Sequence, residues 1–260
     1  MSSRIAVLFF TVVSICTPVL SEAEQSANTP TRETIQLSSG VTLVLVPAPQ
    51  VADIHNDSSI ESPKRFYIGI TEVTQGQYVA VMSERFPYCK FVGDDLPVDG
   101  ISLQAAREFC RVLSEKSGFS VRLPTEREWE WVATSETVSA PNSTENPLTG
   151  WFAENSGGTT QNVASFPPNQ LGIHDLAGNV AEWCDEVDSE SGPTLMLPGD
   201  VIPGVDKFTG AVRGGSWLDK RHTNPAGTRK LVMRRFGFAG AGFRIVLDPV
   251  PKASLSDHIP

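Results

Sequence analysis

The sequence predicts a mixed α+β domain, rich in ordered loops and built as a single unit. Three observations carry that expectation. Apolar residues recur at the helical period in some stretches and alternate in others, which places helices and strands in one chain. Glycine and proline are frequent, 21 and 19 of 260 residues, too many for a helical bundle. No internal repeat or low-complexity tract breaks the chain. With 40 % hydrophobic and 20 % charged residues, the composition excludes a collagen-like, coiled-coil or wholly disordered protein.

Taken in order, Ile35, Leu37, Val41, Leu43 and Leu45 alternate around Ser38-Ser39-Gly40, which predicts a hairpin over 34–46. Residues 47–64 are rich in proline and serine and read as a loop. Phe66–Ile70 is a short apolar strand. Thr74 and Gln77 form a capping box that starts a helix. Ser102 caps a second helix, with Ala106, Phe109, Cys110 and Leu113 on one face and Gly118 as its stop. Thr125 and Glu128 start a third. Beyond Ala133 the chain becomes Gly-, Pro- and Asn-rich, with short apolar pieces at 163–166, 212–217 and 242–247.

At the N-terminus Arg4 precedes an apolar stretch from Ile5 to Cys16, then Pro18 and the small residues Ser21 and Ala23. A charged start, a short apolar core and a small-residue exit describe a secretory signal peptide over 1–23. The run is too short and too interrupted for a membrane span. A flexible leader over 24–33, the domain over 34–247 and a tail over 248–260 complete the expected organisation. The mature protein is thus expected outside the cytoplasm, with no stable membrane span. A net charge of −9 argues against nucleic acid as a partner. Cys89, Cys110 and Cys184 remain after signal removal, which suggests one disulfide and one unpaired thiol. No C-x-x-C occurs, and the four histidines are scattered.

Five motifs stand in order: Ile70–Tyr78 (ITEVTQGQY), Arg122–Trp129 (RLPTEREW), Gly172–Trp183 (GIHDLAGNVAEW), Arg213–Trp217 (RGGSW) and Gly242–Arg244 (GFR). Together they resemble the formylglycine-generating enzyme family, also called the sulfatase-modifying factor domain, over about Thr34 to Leu247. The resemblance implies that family's variant of the C-type-lectin-like fold, loop-rich and single-domain.

It also implies a chemistry that this chain departs from. Family enzymes oxidise a substrate cysteine with two copper-binding thiols. At the matching positions this chain has Asp219 and Asn224, and no cysteine follows Cys184. Carboxylate and amide oxygens are hard donors and poor ligands for Cu(I), so copper is not expected and no catalytic residue is assigned. Asp175, Gly178, Val180 and Glu182 match the family's calcium loop, Gly178 and Val180 through backbone oxygens. The resemblance therefore implies calcium, which takes clustered oxygen donors. The competing reading pairs Glu182 with Arg213 or Arg244 and needs no ion.

Glu126, Glu128 and Glu130 with Arg122 and Arg127 read as caps and ion pairs rather than acid–base machinery. The basic cluster from Lys220 to Arg235 either recognises an anionic or peptide partner or neutralises carboxylates folded against it. Arg221, His222 and Arg229 are its candidate partner-binding residues. Gly237-x-x-Gly240-x-Gly242 lacks the helix a phosphate loop needs, and Ser216 lies in no nucleophile elbow. Two functions stay open: a thiol-less, calcium-stabilised binding or assembly protein, or an oxidoreductase maturing a secreted peptide or protein by a thiol-independent route.

Overall fold

A computed structural model describes residues 33–46, 64–134, 150–185, 209–221, 228–233 and 235–248. The chain divides into two compact units, Met1–Thr31 and Arg32–Pro260, and every described residue lies in the second. The expected signal segment, the 47–63 loop, His222, Asn224 and the tail from 249 lie outside the described residues.

The hairpin forms where its alternation places it: β1 (Thr34–Gln36) pairs antiparallel with β2 (Thr42–Val46), with Ile35 opposite Leu43. Its turn closes through Gly40, whose φ of +82° favours glycine. Next to β2 lies β3 (Phe66–Gly69), then β9 (Val246–Leu247) and β4 (Val121–Arg122), an antiparallel five-stranded sheet in the order β1-β2-β3-β9-β4. A second sheet runs β7-β6-β5-β8, from β5 (Ala181–Cys184), β6 (Thr209–Arg213), β7 (Arg229–Met233) and β8 (Ala241–Gly242), with β5 and β8 parallel.

Three helices follow their start signals. Helix α1 (Gln75–Met82) opens on the reciprocal Thr74–Gln77 capping box and stops at Ser83 in the left-handed region. Helix α2 (Leu103–Ser117) is capped by the Ser102 side chain and ended by Gly118 at φ +75°. Helix α3 (Glu126–Thr134) begins at Thr125, whose N–H donates to Glu128 Oε2 (2.8 Å) while Thr125 Oγ1 accepts from Glu128 N (3.2 Å).

The period of two decides the layers. Leu43, Tyr67 and Leu247 point into a core shared with α1, α2 and the second sheet. Val44, Phe66, Ile68 and Val246 point the other way, against Val132 of α3 and Ile173. Both faces of the first sheet are therefore buried. On α2, Leu103, Phe109 and Leu113 are each no more than 2 % exposed, and each such side chain contributes roughly 1.5–3 kcal/mol. Phe109 meets Phe243 edge-on at 5.2 Å, which locks α2 to the segment entering β9.

The cysteines correct the sequence reading. Cys89, Cys110 and Cys184 are all free, Cys110 being buried in the apolar core on α2 and Cys184 buried at the end of β5. Burial pushes the Cys110 and Cys184 thiols up, so neither is a reactive thiolate. Thiol titration in denaturant without reductant should find these three groups reactive. Finding a single one would mean that the expected disulfide forms after all.

Candidate functional site

The loop from His174 to Val180 leads into β5 and delivers a buried ionic centre. Asp175 and Asn179 hold φ +57° and Gly178 φ +76°, a run of left-handed residues that turns the chain sharply twice. The backbone packs tightly here: an added Cβ on Gly178 would lie 2.2 Å from the Trp151 carbonyl oxygen. Only glycine fits.

From β5, Glu182 reaches the fully buried Arg244. The guanidinium donates from Nε to Glu182 Oε2 (2.5 Å) and from Nη2 to Oε1 (2.6 Å). Its remaining N–H groups reach the carbonyls of Gly69 (3.1 Å) and His174 (2.9 Å), so Arg244 ties β3, β5 and the His174 loop together. Trp129 of α3 adds its indole N–H to Glu182 Oε2 at 2.7 Å. Glu72, also fully buried, accepts from Val180 N (3.0 Å) and Asn179 Nδ2 (2.7 Å). Asp175 Oδ2 accepts from Ala164 N at 2.6 Å. Burial, then the Asp175 and Glu182 charges, hold the Glu72 carboxyl well above the ordinary range. Burial raises Asp175 as well.

The family resemblance implies calcium at Asp175, Gly178, Val180 and Glu182, and the donor set as placed does not fit it. Both Glu182 oxygens are held by a bidentate guanidinium and an indole N–H, in a side chain 1 % exposed. A cation there would have to displace a buried arginine of like charge, at a desolvation cost of several kcal/mol. The geometry is that of the competing reading, with Arg244 as the partner. Arg213, the other arginine weighed, turns to α3, donating to Glu130 Oε2 at 2.7 Å.

Melting curves test this. Chelator and added calcium should leave the transition unmoved, and a fall on chelation that calcium reverses would restore the ion. Proton linkage adds a second expectation. A carboxyl raised in the folded state stabilises fully below its unfolded pKa and loses that contribution as pH rises through the folded value. Glu72, held well above the ordinary range, should thus make the protein melt higher at pH 5.5 than at pH 8. A flat profile would place the Glu72 carboxyl in the ordinary range.

The second candidate position lies in the turn after β6. Gly214 and Gly215, at φ +88° and +75°, swing the chain so that Ser216 N and Oγ both donate to Asp219 Oδ2 at 2.8 Å. Lys230 of β7 pairs with Oδ1. Asp219, standing where a family thiol would be, is a staple of this turn with both oxygens engaged.

Of the candidate partner-binding set, Arg229 is not available. It is 5 % exposed and donates from Nε (2.6 Å) and Nη2 (3.0 Å) to the carboxylate of Glu126. The Arg221 backbone N–H meets the Glu154 carboxylate at 3.1 and 3.3 Å. Arg229 and Lys230 therefore neutralise carboxylates, the second of the two roles weighed for the basic cluster. The α3 acids behave as expected too: Glu128 takes Arg122 bidentately at 2.7 Å while capping its helix.

Sequence reasoning missed a cleft of about 500 Å³ between the loop after α1, the start of α2 and the segment before β8. Phe86, Tyr88, Phe236 and Phe238 line it, with Lys90 and Arg235 and the buried Asp99. Asp99 Oδ1 accepts from Gly240 N at 2.6 Å, which fixes the cleft wall to the turn before β8, where Gly240 packs against Ser216. The available signal was the density of aromatic residues in segments without helical or strand period.

Among the described residues, two sheets and three helices joined by long loops form the formylglycine-generating-enzyme type of C-type-lectin-like fold. The chain belongs to the sulfatase-modifying factor enzyme 1-like domain family, which it matches over residues 20–249. It is 28 % identical over 213 residues to chaperone protein LppX of Paenibacillus barcinonensis, covering 61 % of this chain and 71 % of that one. With a formylglycine-generating enzyme of Thermomonospora curvata it shares 31 % over 153 residues, half of each chain. With the inactive Cα-formylglycine-generating enzyme 2 of Bos taurus it shares 30 % over 140 residues, 48 % of this chain and 40 % of that one. It spans half or less of both of these relatives. Among solved structures, Treponema denticola variable protein 1 superposes with a TM-score of 0.63 at 26 % identity, over 85 % of this chain and all of that one. PvdO from Pseudomonas aeruginosa superposes at 0.61 and 18 % identity, over 84 % and 98 % of the two chains, a likeness of fold. Among the described residues no helix is long and apolar enough to cross a membrane.

Proposed function

We propose that this protein is an extracytoplasmic, non-catalytic member of its family, a binding or accessory domain that engages a partner through the aromatic cleft. The observation that carries the reading is Asp219. A copper-dependent oxidase of this family type needs two soft thiolates, and here the first position is a carboxylate consumed by Ser216 and Lys230. The second, Asn224, offers only a hard amide. Support also comes from relatives whose names describe a chaperone and an inactive enzyme. The N-terminal segment argues for export. The buried centre supports a structural role, because Arg244 and Trp129 satisfy Glu182 and leave it nothing to donate to a substrate.

A Cu(I) competition assay tests the reading. The purified protein should take no copper from a bicinchoninate complex. Stoichiometric uptake would mean that a soft donor pair exists, and the oxidoreductase alternative would replace this one.

A further inference from the structure

We propose that the aromatic cleft is a docking site for an acidic peptide segment of a partner protein, one that pairs an aromatic or large aliphatic side chain with neighbouring carboxylates. The proposal rests on the binding-domain reading and names the ligand of its cleft.

The first support is apolar exposure. Tyr88 is 75 % exposed, Phe236 68 % and Leu218 49 %, whereas most of the chain's large apolar side chains in described segments are buried. Exposed aromatic groups gathered around one concavity mark an interaction site more than scattered apolar residues do. Phe86 stands edge-on to the buried Tyr78 at 5.6 Å and carries Tyr88 at the same distance, and Phe238 stands edge-on to the buried Trp183 at 6.0 Å, so the walls are anchored to the core. Two anchored walls and a volume of about 500 Å³ suit one or two inserted side chains.

The second support is charge. Lys90 and Arg235 are exposed at the cleft and have no carboxylate partner among the described residues. Lys90 instead lies over the rings of Phe91 and Trp217, 5.1 and 5.2 Å from their centroids. Arg122, Arg213, Arg229, Lys230 and Arg244 are all ion-paired, as expected where acids outnumber bases 30 to 21. Two cations left unpaired beside one apolar concavity are therefore complementary to carboxylates. Asp99, 2 % exposed and accepting from Gly240 N, feels the Lys90 charge, but burial outweighs that and holds its carboxyl above the ordinary range, so it offsets Lys90 only in part and leaves Arg235 untouched.

The occupant is a peptide rather than a small aryl acid because the surface continues past the cleft. An added Cβ on Gly240 would sit 3.6 Å from Leu218, so the exposed Leu218 adjoins the cleft wall and extends the apolar strip. A chain several residues long would cover this strip while its acids reach Lys90 and Arg235.

Fluorescence anisotropy with labelled Gly-Glu-Phe-Asp-Leu-Gly and its twin Gly-Lys-Phe-Lys-Leu-Gly tests the proposal. The acidic peptide should bind at least about tenfold more tightly, with the difference shrinking in high salt. The double variant Lys90→Glu/Arg235→Glu should reverse that preference in a protein that still melts cooperatively, the loss of the Lys90 contacts with Phe91 and Trp217 lowering the melting temperature only modestly. A Phe236→Ser variant should weaken both peptides. Equal or absent binding, or an unchanged preference in the double variant, overturns the proposal. So does 3-phenylpropionate competing as tightly as the peptide, which would make the cleft a small-molecule site. Copper uptake would overturn the non-catalytic reading and leave this charge preference separately measurable.

Discussion

Arg244→Ala should be among the most damaging single substitutions in this protein, at a cost on the order of 3–5 kcal/mol. The variant removes the cation that binds Glu182 in two hydrogen bonds and leaves that carboxylate buried beside Glu72 and Asp175. It also orphans the carbonyls of Gly69 and His174, which Arg244 satisfies. For a domain of this size the loss corresponds to roughly 6–20 °C in melting temperature. Arg244→Lys keeps the charge without the two-pronged geometry and should fall between the two. A drop of less than 3 °C for the alanine variant would mean that something other than Arg244 neutralises the centre.

Gly178→Ala should rank beside it. The new Cβ would lie 2.2 Å from the Trp151 carbonyl oxygen and 2.7 Å from its carbon, on a residue at φ +76°. Backbone cannot give way there without breaking the bond from Asn179 N to that same oxygen (2.8 Å). A loss of roughly 3 kcal/mol or more is expected. Gly157→Ala separates strain from clash: its φ is +68° with nothing within 4 Å of the added carbon, so it should cost only about 1–2 kcal/mol. Equal effects from the two would show that conformation, not the close approach to Trp151, makes position 178 demanding.

What was legible in the sequence was mostly local. Thr74 with Gln77 and Thr125 with Glu128 announce their helices because a capping box is complete within four consecutive residues. The alternation of Ile35, Leu37, Val41 and Leu43 placed the hairpin for the same reason. The ordered set of five motifs carried the fold, which no periodicity could have supplied. The site was only half legible. Glu182 stood out, with Arg213 and Arg244 as rival partners, and the choice between them depends on tertiary placement: Arg213 at the end of β6 turns to α3, while Arg244 sits between β8 and β9. Glu72 escaped notice because its partners, Asn179 and Val180, lie more than a hundred residues away, in another loop. The cleft was hidden likewise, being assembled from three separate segments. Arg229 misled because a basic residue near a glycine turn looks like surface until Glu126 of α3 folds against it. The cysteines misled by arithmetic: an oxidising compartment suggests a bridge, yet the fold spends Cys110 and Cys184 as small apolar core residues.

The central claim is that this domain keeps the family's fold and has given up its thiol oxidation. It is tested most directly by incubating the pure protein with copper, oxygen and a Cys-x-Pro-x-Arg peptide, then weighing the peptide by mass spectrometry. The account predicts the peptide recovered with its cysteine intact, aside from ordinary disulfide formation, and a single Asn224→Cys exchange should not change that while Asp219 stays bound to Ser216 and Lys230. Formylglycine in the product of the wild-type protein would contradict it.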